Sequence, residues 1–134
     1  MATLTPTLTL TSSDTSSDSL SLEVTDTLTV GAPAIGPSKV AIAVAGGSDT
    51  TLVASSGNNK YVYVKHTGVQ ADGSTVTSNE VVVDFGTTDS IRLNTGDFAF
   101  FPSKASTAVT AVSNSTQTII VEYAYWTSAF SNST

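Results

Sequence analysis

Residues 119–127 read Ile-Ile-Val-Glu-Tyr-Ala-Tyr-Trp-Thr, and this stretch decides the fold class. The odd-numbered positions from 119 to 125 are Ile119, Val121, Tyr123 and Tyr125, and the apolar residues at even-numbered positions are Ile120, Ala124 and Trp126. Because successive side chains of a strand point to opposite faces, the pattern predicts a strand that is apolar on both sides and central in its sheet. Glu122 is the one charge there. A buried carboxylate is costly without a partner, so we expect Glu122 to pair with Arg92 or a lysine.

The same period of two recurs along most of the chain. It predicts further strands within 20–30, 40–44, 61–64, 81–85, 90–93, 98–101 and 107–112. The Gly- and Pro-containing stretch 31–37 predicts a turn, as does Ala-Asp-Gly-Ser at 71–74. No helical periodicity competes over a useful length. Short strands at this spacing predict an all-β fold, a β-sandwich or a jelly-roll-like small barrel with an extended N-terminal arm.

The N-terminal segment differs from the rest of the chain. Residues 3–11 alternate Leu with Thr around Pro6, which is typical of an edge strand, and residues 12–19 contain only Ser, Thr and Asp. We therefore expect an extended arm at 1–18, a β-sandwich domain at 19–127 and a flexible tail at 128–134. We further expect the arm to pair with a neighbouring subunit instead of its own core.

The composition supports a β domain and excludes several classes of partner. The chain has 134 residues, of which 40% are hydrophobic, 12% are charged, 23 are Thr and 20 are Ser, as expected of one strand-rich domain. Its net charge of −6 has the wrong sign for binding nucleic acid, and the lack of Cys excludes disulfides and thiolate sites. The sequence shows neither the apolar segment of a signal peptide nor an apolar run of about 20 residues. We expect a product made in the cytoplasm with no membrane partner.

The residues available for chemistry are few. His66 is the single His, so any Ser–His pair or multi-His metal site depends on it, and we expect it to be a solvent-facing residue at a strand end. Two acidic groups are candidate Ca²⁺ sites, namely Asp14 with Asp18 and Asp26, and Asp84 with Asp89 and Asp97. Their spacing matches no known calcium loop, so we interpret them as solvated turn carboxylates. We predict no catalytic residue, no metal site and no cofactor.

Candidate interface residues are the apolar side chains of the arm and the aromatic residues of two late strands. They are Leu4, Leu8, Leu10, Phe98, Phe100, Phe101, Tyr125 and Trp126. For the three Phe residues we expect packing in the core or at an interface, with contact to a bound ligand as the alternative. An exposed aromatic platform of Tyr61, Tyr63, Tyr125 and Trp126 would instead favour a carbohydrate-binding β-sandwich.

Four stretches carry a resemblance to a known group of proteins. They are Met-Ala-Thr-Leu-Thr-Pro-Thr-Leu-Thr-Leu at 1–10, Ser-Leu-Glu-Val-Thr-Asp-Thr-Leu-Thr-Val at 21–30, residues 93–102, and Val-Glu-Tyr-Ala-Tyr-Trp-Thr at 121–127. Together they cover less than half of the chain. In these stretches the chain resembles small virion structural proteins of tailed bacteriophages, particularly those of cyanobacterial and marine phages.

The resemblance implies a β-rich protein without enzymatic activity that sits in the virion and is made in the host cytoplasm. It implies an assembly role without indicating which part of the virion, and we expect a capsid decoration or cement protein that binds the major capsid protein or other virion proteins. We expect a symmetric homo-oligomer, with a trimer suggested by capsid symmetry. A tail or fibre component and the carbohydrate-binding module remain the alternatives.

Overall fold

The computed structural model describes residues 2–14, 20–86 and 88–131, and within these ranges it contains strands and no helix. The strands are β1 (Ala2–Leu4), β2 (Thr7–Ser12), β3 (Leu20–Thr25), β4 (Leu28–Ile42), β5 (Thr50–Val53), β6 (Asn58–Gln70), β7 (Val81–Phe85), β8 (Thr88–Leu93), β9 (Phe98–Ser103), β10 (Val109–Ser113) and β11 (Ile119–Ser131). The all-β prediction is confirmed.

The strands form two packed antiparallel sheets and a separate hairpin. The larger sheet has the order β1-β4-β11-β6-β9, the smaller has the order β5-β10-β7-β8, and β2 pairs only with β3. The two large sheets curl into a half-barrel, consistent with a sandwich or small barrel. They meet at one corner, where Ala43 bridges to Val112 and the Ser113 N–H donates to the Ala43 carbonyl over 2.8 Å.

The core lies between the inner faces of the two sheets. Its buried members are Ile42, Leu52, Val53, Val62, Val64, Val81, Val83, Leu93, Val109, Ala111, Ile119 and Val121. β11 is the third of five strands, so the predicted central position is confirmed. The face of β11 predicted to be apolar faces this core: Ile119 and Val121 belong to it, and Tyr123 and Tyr125 are half-buried against it.

The predicted turn at 31–37 is wrong. These residues belong to the long strand β4, which contains a cis peptide bond between Ala32 and Pro33. The pairing of β4 with β11 shifts register beside this stretch, at Tyr123/Tyr125 and at Trp126/Thr127. Irregular pairing tolerates prolines, which lack the N–H that a regular ladder would need.

The N-terminal arm is organised differently from the prediction. β1 pairs with the start of β4 in the chain's own large sheet, with Leu4 opposite Leu28. β2 pairs with β3, so a boundary between residues 18 and 19 divides a hairpin. Part of the predicted loop at 12–19 lies outside the described residues, and Ser12 itself is the last residue of β2. The hairpin, and not residues 1–18 alone, is the projecting unit.

The C-terminal boundary also differs. β11 continues to Ser131, so residues 128–131 are strand where a flexible tail was expected. Thr127 and Ser128 are buried, and the Thr127 hydroxyl donates to the Pro33 carbonyl over 2.6 Å. The remaining tail residues, 132–134, lie outside the described residues.

Candidate functional site

The β2–β3 hairpin is amphipathic because its register places apolar residues opposite one another. Leu8 lies opposite Val24, and Leu10 lies opposite Leu22. Directly opposed residues of an antiparallel pair point to the same face, so the apolar side chains of both strands combine on one side. The other side consists of Thr, Ser and Glu side chains, and it includes a hydrogen bond of 3.1 Å between the hydroxyls of Thr7 and Thr25.

The apolar side of the hairpin, called here the apolar strip, is exposed along its whole length. The strip consists of Leu8, Leu10, Leu20, Leu22 and Val24, each exposed by between 41% and 51%. Soluble monomers rarely leave a contiguous apolar surface of this kind uncovered, and where they do it marks an interaction site. The strip is therefore the first component of the candidate site.

The second component is an aromatic patch at the β9 edge of the large sheet. The patch consists of Tyr61 and Tyr63 from β6 with Phe98 and Phe100 from β9. Alternation positions it, because the intervening residues Val62 and Val64 are buried in the core and leave the rings on the outer face. The rings of Tyr61 and Phe100 stack with centroids 6.3 Å apart and planes at 11°. Phe98 is 60% exposed and Phe100 is 39% exposed.

A groove of about 520 Å³ joins the strip to the patch. Its walls are Pro6, Thr7, Leu8, Val24, Asp26 and Leu28 on the hairpin side and Tyr61, Tyr63, Phe98, Phe100 and Pro102 on the sheet side. Only the base of the strip, at Leu8 and Val24, reaches this groove. The rest of the strip extends beyond it without lining the groove.

Charged residues cross the outer face of the sheet beside the patch. Glu122 of β11 lies opposite Lys39 on one neighbouring strand and Lys65 on the other. The Tyr63 hydroxyl donates to Glu122 Oε1 over 2.9 Å. Burial, followed by the hydrogen bond to Glu122 and the negative charge of Glu122, raises the pKa of Tyr63 to about 12. Lys39, Glu122 and Lys65 together carry one more positive than negative charge.

The predicted partner of Glu122 is thus only partly right. Lysines do lie opposite the carboxylate, but its direct hydrogen bond comes from a tyrosine. Arg92 pairs elsewhere, with Glu80 at 3.2 Å on the surface. Arg92 lies on β8 of the smaller sheet, whereas Glu122 lies on β11 of the larger sheet. The sequence does not indicate which strands share a sheet.

The predicted interface residues fall into two groups. Leu8, Phe98 and Phe100 meet in the groove, and Leu10 continues the strip. Leu4 is half-buried in β1, and Trp126 is half-buried opposite Tyr61. Phe101 and Tyr125 instead pack against the core, with the Phe101 ring 5.1 Å from that of Phe85. For Phe101 the structure therefore supports packing in the core.

Several residues of the site were missing from the predicted interface, namely Leu20, Leu22, Val24, Tyr61 and Tyr63. Their alternation is visible in the sequence. The sequence does not reveal the pairing of β2 with β3, which brings the apolar side chains of the two strands onto one face.

His66 is not the solvent-facing residue that was predicted. It is 0% exposed, and its position within β6 points it into the interior. Nδ1 accepts a hydrogen bond from the Gly68 N–H over 2.9 Å, and Nε2 lies 2.8 Å from the Asn79 carbonyl oxygen. Both ring nitrogens are therefore engaged by the backbone, which makes the residue structural.

The other titratable side chains that the structure describes do not form a metal-binding group. Within the described ranges, no group of three or more His, Cys, Asp and Glu residues is arranged to hold a metal ion. Lys60 is buried, its Nζ donates to Ser56 Oγ, and burial lowers its pKa. No helix within the described part of the chain is long and apolar enough to cross a membrane.

Comparisons with protein-family models, curated proteins and solved structures found no match to this chain.

Proposed function

We propose that this chain is a non-enzymatic structural protein of a bacteriophage virion that binds and stabilises the capsid lattice as a homo-oligomer. The observation that carries the proposal is the apolar strip, an exposed surface of five large side chains on a projecting hairpin. Covering a surface of this kind removes apolar area from water and lowers the free energy, which favours an interaction site. The resemblance to small phage virion proteins supplies the identity of the assembly.

The chemistry of the described residues supports the non-enzymatic part of the proposal. The one His uses both ring nitrogens on backbone groups, so it is not placed to act as a general base. The groove is lined mainly by apolar and aromatic side chains. Such a lining suits packing against protein better than it suits bond making.

A repeating lattice explains how modest contacts suffice. Each copy has few charges, and exposed apolar and hydroxyl groups contribute small free energies one by one. When several copies of an oligomer bind a shell together, the second and later contacts become intramolecular and overall attachment strengthens. We expect three copies from capsid symmetry, with the major capsid protein as partner.

The aromatic patch favours a second candidate function, the carbohydrate-binding module. The stacked rings of Tyr61 and Phe100, of which Phe100 is exposed, resemble a platform for a sugar. Sugar recognition also needs polar groups around the rings, and the groove supplies few besides Thr7 and Asp26. The Tyr63 hydroxyl already donates a hydrogen bond to Glu122. The lattice proposal is therefore better supported.

The test mixes purified protein with capsids of its own phage that lack it. We expect saturable binding and a higher temperature of capsid disruption. A chain lacking the hairpin, with residues 7–25 replaced by Asn-Gly, should bind more weakly, and Val76→Ser, at an exposed residue outside the site, should bind as the parent does. Failure to bind such particles would overturn the proposal. Location only at the tail would establish the tail or fibre alternative, and selective glycan binding would establish the other.

A further inference from the structure

We propose that the apolar strip of one copy packs on the aromatic patch of a second copy of this chain. The inference deepens the homo-oligomer part of the proposed function and rests on it, but it does not depend on attachment to a capsid. It assigns the two exposed apolar surfaces of the candidate site to each other.

The geometry of the hairpin supports this pairing. Leu8 and Val24 touch the groove beside the patch, whereas Leu10, Leu20 and Leu22 extend past it and remain more than 40% exposed. At about 3.3 Å per residue, the six-residue strands reach roughly 20 Å. The outer face from β9 across to β4 is about 14 Å wide at the usual strand spacing. A hairpin of this length can lie across the face of another copy.

Charge selects this contact over packing of one strip on another. The first thirty residues contain four acids and no Lys or Arg, so two hairpins brought face to face would repel. The outer face of the sheet instead presents Lys65 opposite Phe98, and Lys39 two strands further on. An acidic hairpin laid on this face gains complementary charges at its margin.

The surface is large enough for an oligomer if each copy both gives and receives a hairpin. The strip together with Phe98 and Phe100 leaves on the order of 300–500 Å² of apolar surface in water per copy. Because close to 60% of an interface is apolar, a reciprocal pair of contacts buries on the order of 1,000–1,600 Å². Stable interfaces bury roughly 1,200–2,000 Å².

The contact joins two different surfaces, so it closes in one of two ways. Two copies exchange hairpins reciprocally, or three or more pass them around a ring. Both arrangements bury every strip and every patch, and the trimer of the proposed function is the three-membered ring.

The experiment uses site-specific cross-linking of the full chain, which has no native Cys and hence no background. Leu22→Cys marks the strip and Phe98→Cys marks the patch. The two singly substituted chains, one carrying a mass tag, are mixed and treated with a short bifunctional thiol reagent. We expect the mixed product, strip to patch, in excess over either self-product.

Three results would overturn the inference. A chain that sediments as a monomer at the cross-linking concentration has no second copy on its strip. An excess of the Leu22→Cys self-product means that strips meet each other. Intramolecular cross-linking of the Leu22→Cys/Phe98→Cys double variant without intermolecular product means that the hairpin closes on its own sheet.

Sedimentation of two matched variants tests whether the strip holds the oligomer together. Leu10→Ser/Leu22→Ser should dissociate the oligomer, and Val76→Ser, which also removes an exposed apolar side chain, should leave it intact. Circular dichroism confirms that each variant is folded. The capsid assay is scored separately, so an oligomer with the expected cross-links that does not bind capsids overturns the proposed function alone.

Discussion

His66 and Gly68 are joined by a hydrogen bond of 2.9 Å from the backbone N–H of Gly68 to Nδ1 of the imidazole. Because Nδ1 accepts, the ring proton lies on Nε2, which donates to the Asn79 carbonyl over 2.8 Å. The pairing of β6 with β11 shifts register here, between Ile119 and Val121. The buried ring thus provides a hydrogen-bond partner for a backbone N–H in an irregular stretch of β6, and its other nitrogen hydrogen-bonds to the segment before β7.

Replacing His66 with Ala should lower the free energy of unfolding by about 2–4 kcal/mol, because it leaves a cavity and two buried backbone groups without partners. His66→Asn should cost less, since its carbonyl oxygen can take the place of Nδ1. Denaturant unfolding measures both. Lys65→Ala, at the half-buried neighbour, is the control, and equal effects at residues 65 and 66 would contradict the structural role.

Gly68→Ala should destabilise the protein more than Gly46→Ala. Both glycines have positive φ, +86° and +84°, so each substitution carries the backbone cost of about 1–2 kcal/mol. A Cβ at residue 68 would also lie 2.7 Å from Thr95 Cγ2, whereas at residue 46 nothing lies within 4 Å. Thr95→Ser removes that methyl group, and its hydroxyl can still donate to the Thr77 carbonyl. The double variant with Gly68→Ala should therefore recover part of the lost stability, as measured by thermal unfolding.

Tyr63 should titrate well above pH 10. Burial, with help from Glu122, raises its pKa to about 12, against an unfolded value of about 10. Since the folded state holds this proton more tightly, the resulting stabilisation is complete below pH 10 and is lost as the pH rises from about 10 to 12. Tyrosinate absorbance should show one late component that Tyr63→Phe removes and Glu122→Gln shifts to lower pH. A late component that persists in Tyr63→Phe would contradict the assignment.

Asp72 should contribute to stability above about pH 4. The hydroxyl and N–H of Thr75 and the N–H of Ser74 donate to its carboxylate and lower its pKa to about 2. The folded state therefore favours the charged form, and this stabilisation is lost as the pH falls from about 4 towards 2. Stability measured across that interval should fall less steeply for Asp72→Asn than for the parent. Identical slopes would contradict the prediction.

The hairpin should be removable without unfolding the sandwich. The Asp26 N–H donates to the Pro6 carbonyl over 3.2 Å, so the two ends of the hairpin are already adjacent. Replacing residues 7–25 with Asn-Gly, a favourable two-residue turn, bridges them. None of the removed residues that the structure describes, 7–14 and 20–25, belongs to the buried core. Circular dichroism should retain the strand signal and cooperative melting, and loss of the cooperative transition would mean that the hairpin supports the core.

Several features of the fold could be predicted because they depend on local alternation. The side chains of 119–125 alternate between core and outer face as predicted, and β7 occupies 81–85 as predicted. The stretch 31–37 misled because Gly and Pro usually end a strand, whereas here irregular pairing with β11 accommodates them. His66 misled because a polar residue beside a lysine indicates exposure, whereas here the ring is buried and its nitrogens pair with the backbone of Gly68 and of Asn79.

By itself, the sequence determined that the chain forms strands, where most of them lie and which residues of each share a face. These properties follow from the two-residue repeat of extended backbone, which each segment carries locally. Only the tertiary structure decided which strands pair, and pairing created the site. The half-strip at Leu8 and Leu10 joins that at Leu22 and Val24 because β2 lies against β3, and the rings of Tyr61 and Phe100 meet because β6 lies against β9. Such contacts are set by the packing of the whole chain, which local alternation does not contain.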